Sequence, residues 1–213
     1  MHARPMAAGL TLVGMLAATG CAASPGAQAP SSSDAPVEQS LGSVRPAPPE
    51  GEVIGTGTVM DVDGEVELCL GPVLASYPPQ CGGIPLEDWS WEGLEGSESS
   101  GSVRWGAYAV TGTFDGTVLT LTQNPAMLAL FDPPIEDPTG GVAGATAEAE
   151  LDELVQDVSD RFADDPDMFL GAYPDNGYAW IEVVWDDGTL QQAADEEFGS
   201  DAVVIVSRLR AID

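Results

Sequence analysis

From Gly51 to about Leu130 the pattern of apolar and polar residues is that of β-strands. Val53–Met60 is β-branched and punctuated by glycine. In Glu65–Leu70, Val66, Leu68 and Leu70 fall on one face and Glu65, Glu67 and Cys69 on the other, the pattern of a half-buried strand. Val103–Phe114 is a longer strand, rich in aromatic and β-branched residues. Asp61-Val62-Asp63-Gly64 predicts a turn. Phe114-Asp115-Gly116-Thr117 predicts a hairpin into Val118–Thr122. Short strands joined by tight turns predict a small all-β barrel or sandwich over residues 51–132, an OB-like Greek-key barrel being one form of it.

A Pro/Gly-rich break follows, and residues 133–145 read as a linker. Beyond it the period changes to that of a helix. Leu151, Leu154, Val155, Val158 and Phe162 form one stripe, with Thr146 placed to cap its start and Asp165-Pro166 to end it. Met168–Tyr173 and Tyr178–Trp185 read as strands about a turn at Pro174-Asp175-Asn176-Gly177. Thr189 then caps a helix over Leu190–Phe198 stopped by Gly199, and Ala202–Ser207 is a buried strand. The fold class is therefore α+β: the β domain, then an α-β-β-α-β domain over 146–213. The latter has the order of a ferredoxin-like half-sandwich that lacks its first strand or borrows one from the linker.

The N-terminus reads as an address. Arg4 precedes an uncharged, mostly apolar run, Met6–Gly20, too short for the roughly 20 residues a spanning helix needs. Ala18-Thr19-Gly20-Cys21 resembles a bacterial lipobox, with Ala18 where Leu is usual. The resemblance implies a signal peptide over 1–20, cleavage before Cys21, and lipid (palmitate-type acyl chains) on that cysteine, enough to hold a protein at a membrane. Ordinary secretion with a cut near Ala22 or Ala23 is the alternative. Residues 22–50 are rich in Ala, Pro, Ser and Gly without apolar period. They read as a disordered tether spanning roughly 30 Å.

With Cys21 lipidated, Cys69 and Cys81 remain, and an even number in an exported chain reads as a disulfide. Its closure is worth about 3 kcal/mol in the chain-entropy model. A redox pair is the alternative, but such pairs are usually Cys-x-x-Cys. The stretch Glu67–Gly83, with Trp89-Ser90-Trp91, Trp105–Gly116, Asp186–Gln191 and the closing Val203–Arg210, resembles a group of uncharacterised exported proteins and lipoproteins of high-GC Gram-positive bacteria. The resemblance brings no activity and no site residue with it.

Composition narrows the chemistry. The 213 residues hold 35 acids against six cations, all Arg, for a formal charge of −29. Such a chain has no basic face for phosphates, so no nucleic-acid partner is expected. The one histidine, His2, leaves with the signal peptide. Imidazole-dependent hydrolysis and Ser-Lys catalysis are then out of reach. No phosphate-binding loop or dinucleotide fingerprint appears, and no cofactor is expected. A carboxylate-only glycan hydrolase would need two acids about 5 to 9 Å apart, a spacing that 35 acids meet by chance.

Two candidate sites remain. Asp61, Asp63 and Glu65 have alternating oxygens before a glycine but lack the rest of a calcium loop, so a hairpin turn is the simpler reading. Tyr77, Trp89, Trp91 and Trp105 gather around the cysteine loop. They could face a sugar or peptide, or pack as core under the disulfide. Arg104 sits beside them. The expectation is a non-enzymatic lipoprotein on the extracytoplasmic face of the membrane, binding an envelope protein or glycan. A divalent-cation or small-ligand sensor is the alternative.

Overall fold

Glycines set into long strands decide how the first half folds. The computed structural model describes residues 40–131 and 137–212. Strand β1 (Glu52–Val62) turns through Asp63-Gly64 into β2 (Glu65–Cys69). Both turn residues have positive φ, 57° and 93°, as a two-residue hairpin of the right-handed twist requires. β3 (Ile84–Glu87) follows the cysteine loop, then β4 (Ser97–Ser100), β5 (Val103–Phe114), β6 (Leu119–Leu121) and the short β7 (Ala126–Met127).

β1, β2, β3, β6 and β5 pair in that order, and β5 returns to pair with β1, closing a five-stranded barrel. All contacts are antiparallel except β3 with β6. β1 and β5 run together over their full length, from Glu52↔Thr113 to Val62↔Val103. Closure demands close approach: a Cβ on Gly57 would lie 2.2 Å from the Cys69 carbonyl oxygen, and one on Gly112 equally close to that of Thr120.

The second half contributes α1 (Glu148–Arg161), β8 (Phe169–Asp175), β9 (Tyr178–Val183), α2 (Thr189–Phe198), β10 (Val203–Ser207) and β11 (Leu209–Ala211). The expected α-β-β-α-β order is present. Asn176-Gly177 makes the β8–β9 turn with positive φ at both residues. Its sheet runs β10-β9-β8, with β9 and β10 direct parallel neighbours. A split ferredoxin-like arrangement would set a strand between them, and none of the described linker residues supplies one.

The helix caps differ from expectation. α1 starts after Ala147 with no side-chain cap, so Thr146 does not serve. At α2 the capping carboxylates are Asp186, accepting from the Leu190 and Gln191 N–H, and Asp187, accepting from Thr189. Thr189 is the first helical residue and not the cap.

Two further differences concern boundaries. β11 pairs with the first half of β1, Val53↔Ala211 to Gly55↔Leu209, while β2 holds the second half of the same edge. Val184 and Leu209 are buried in the barrel core with Val59, Leu68, Tyr108, Val110 and Leu119. The described residues thus belong to one compact unit, because the barrel interior is completed from the far end of the chain. Residues 40–50, read as tether, are also part of the body. Leu41 is buried with Val158, Phe162, Ile181 and Leu190 in the second core. Its N–H donates to Glu197, which ion-pairs with Arg161. Leu41 and Val44 interrupt an otherwise polar and Pro-rich stretch, and that apolar pair is what docks. The expected signal peptide, Cys21, the rest of the expected tether over 22–39 and the expected linker residues 133–136 lie outside the described residues.

Candidate functional site

The four aromatic residues of the cysteine region separate into two groups. Trp89 and Trp91 follow β3 and pack against the barrel. Their rings meet edge to face at 5.0 Å, and each stands edge-on to Tyr108 inside it. Both pack against the barrel core. Trp91 is fixed further by charge. Its indole N–H donates to Asp61 Oδ2 at 2.8 Å, and the Arg104 guanidinium lies 4.5 Å from its ring centroid. Asp61 and Arg104 are direct cross-strand neighbours on β1 and β5, so the register sets both beside Trp91. Arg104 is held by Ser97 Oγ at 2.9 and 3.1 Å. Tyr108 donates its hydroxyl to the Glu95 carbonyl at 2.7 Å. Burial raises its phenol above the ordinary value, with Arg104 pulling the other way. Both tryptophans are half-buried.

Trp105 belongs to the second group. It meets Tyr77 edge to face at 5.5 Å. Tyr77 stands on the loop between Cys69 and Cys81, which are joined as a disulfide with Cα atoms 6.0 Å apart. The loop has its own order: Leu74 and Gln80 form a β-bridge, and Ser76 Oγ donates to the Pro78 carbonyl at 2.9 Å. Prolines at 72, 78 and 79 restrict it further. Its apolar side chains nevertheless face water. Leu74 is 62% and Tyr77 72% exposed, with Val73 beside them at 39%. Residues 71–80 carry no charge.

The acidic candidate does not assemble. Asp61 Oδ1 accepts the Gly64 N–H at 2.9 Å and Oδ2 the Trp91 N–H, while Asp63 and Glu65 are exposed. Its chemistry is that of a turn and a tryptophan acceptor. Among the described residues one trio, Glu67, Cys69 and Cys81, brings three metal-ligating atoms within 4.8 Å of one another, but two of its members are joined as the disulfide. Glu67 accepts the Gly83 N–H at 3.3 Å.

Sequence reasoning missed Tyr108, Ser97 and the role of Asp61, because their partners are distant in the chain. The even-numbered face of β5, on which Arg104 and Tyr108 fall together, was the available signal. Compared with models of known protein families, with curated proteins and with solved structures, this chain matches none.

Proposed function

We propose that this chain is a lipid-anchored, extracytoplasmic, non-catalytic binding module of the cell envelope, and that its contact surface is the disulfide loop. The observation that carries the reading is the exposed Val73-Leu74-Tyr77 knob. It is an uncharged, internally bonded loop on a chain with 35 acids. A preorganised loop loses little conformational freedom on binding, and tyrosine is a frequent anchor at interfaces. The surrounding acidity favours a protein partner whose apolar cleft is rimmed by cations. The anchor is Cys21, on the lipobox resemblance.

We propose further that the barrel is of the OB-like kind. Antiparallel β1-β2-β3, a parallel β3–β6 contact and closure through β5 to β1 have the strand order of an OB-like barrel. In this chain the segment after β3, with Trp89 and Trp91, packs against the barrel core.

Photo-crosslinking tests the contact surface. A photoreactive residue is placed at 74 or 77 of the full-length protein in its native membrane, with exposed Val142 as the control position. A discrete adduct from 74 and 77 and none from 142 is expected. Identical patterns from all three positions would end the proposal.

A further inference from the structure

The segment Arg45-Pro46-Ala47-Pro48-Pro49 runs along a groove lined by both halves, which reads it as a peptide-binding domain reads a ligand. Three prolines leave Ala47 with the one backbone N–H between Arg45 and Glu50. That N–H donates to Asp187 Oδ2 at 3.0 Å. The Ala47 carbonyl accepts from the Trp185 indole N–H at 2.9 Å. One residue is thus held on both sides of its backbone. Arg45 completes the register by pairing with Asp165 at 2.8 Å. Each proline fixes its own φ and keeps the residue before it extended. An aromatic side chain, an indole donor and a carboxylate for Arg are the means by which proline-rich segments are recognised in general.

The fit to the resident segment is incomplete. A cavity of about 300 Å³ is lined by Pro46 and Pro48 together with Phe114, Met168 and Trp185. A strap serving only to hold the fold together would be packed against its floor. The Arg45 side chain is 55% exposed, so its ion pair with Asp165 is a weak hold. No residue from Arg45 to Pro49 is buried, so the same contacts are open to an equivalent segment from elsewhere.

We propose that this groove is a recognition site for an extended, proline-rich segment carrying arginine, supplied in trans by a partner chain, and that residues 45–48 are its resident competitor. The cation of such a ligand complements Asp165 and the acidic body.

The test uses the full chain carrying Cys21→Ser, so that no lipid is attached, and a synthetic peptide of residues 43–50. A released form adds Arg45→Ser, Pro46→Gly and Pro48→Gly, leaving Leu41 in place. The readout is the Trp185 indole N–H resonance, assigned by its loss in Trp185→Phe. The released form is expected to bind the peptide saturably and to return that resonance toward its native position. The unreleased chain should bind at least about tenfold more weakly, since the cis segment competes at roughly millimolar effective concentration. Asp165→Asn in the released form should weaken binding about threefold. No saturable shift at millimolar peptide, or equal binding by both forms, would overturn the proposal. Should the released form fail to fold, hydrogen exchange at the Ala47 amide of the unreleased chain decides instead. Excess peptide should accelerate it, and an unchanged rate would refute displacement.

Discussion

Trp89 and Trp91 stand 5.0 Å apart, edge to face, yet only one has its indole N–H satisfied. That of Trp91 donates to Asp61; that of Trp89 is buried without a partner. Replacement by phenylalanine removes similar ring area from each, but from Trp91 it also takes the indole donor from Asp61 and weakens the cation–π contact with Arg104. Trp91→Phe is predicted to cost about 1–2 kcal/mol more stability than Trp89→Phe. Urea unfolding of the two variants measures the difference. Equal losses would show that the Asp61–Trp91–Arg104 arrangement contributes nothing beyond packing.

Leu41 decides whether the segment before the barrel is structure or tether. Its side chain is buried among Val158, Phe162 and Leu190. Leu41→Ala should cost about 2–5 kcal/mol, as at other buried leucines, with a matching fall in Tm. A surface position would cost a few tenths. Thermal melting separates the two.

The disulfide joins residues separated by 12 in sequence. Paired Cys69→Ser and Cys81→Ser substitution is predicted to lower stability by about 3 kcal/mol. It should also quicken amide exchange in residues 71–80 more than in the β1–β5 ladder, which needs no disulfide to pair. Exchange that quickened uniformly would instead mean that the loop and the barrel open as one unit.

Acid acts on four turn and cap carboxylates with opposite signs. Asp115 is held below the ordinary carboxylate range by the Val118 and Thr117 N–H groups. Asp137 is held there by Thr139, and Asp187 chiefly by the Thr189 hydroxyl. Their contributions are present above the ordinary pKa and lost as pH falls through the lower folded values, below about pH 4. Asp186 is displaced upward by burial, against the N–H groups of Leu190 and Gln191. Its effect has the reverse sign: it favours the fold at low pH and is lost as pH rises through its folded value. Relative to wild type, Asp115→Asn should flatten the acid loss, and Asp186→Asn should steepen it. Unfolding free energies from pH 7 to 3 check both signs.

The legible parts of the fold were those specified locally. Val103–Phe114 and the Asp-Gly and Asn-Gly turns follow from alternation and turn chemistry, and the α1 stripe follows from its period. What stayed hidden depends on distant partners. β3 contains Pro85, β4 reads Ser-Glu-Ser-Ser, and β11 is three residues long; each is a strand only because a neighbour pairs with it. The candidate aromatics were legible as a set. Their division into a half-buried pair and an exposed knob was not, since it turns on Trp105 and Tyr108 falling on opposite faces of β5.

The exposed knob is where the functional account stands or falls. Crosslinked capture of the tagged full-length protein from its native membrane, read by mass spectrometry, is run on three forms: unaltered, Leu74→Ser with Tyr77→Ser, and Val142→Ser. The account predicts one reproducible envelope partner with the unaltered and Val142→Ser proteins, reduced at least about tenfold in the double variant, as the loss of two anchor side chains implies. Equal recovery by all three would contradict it.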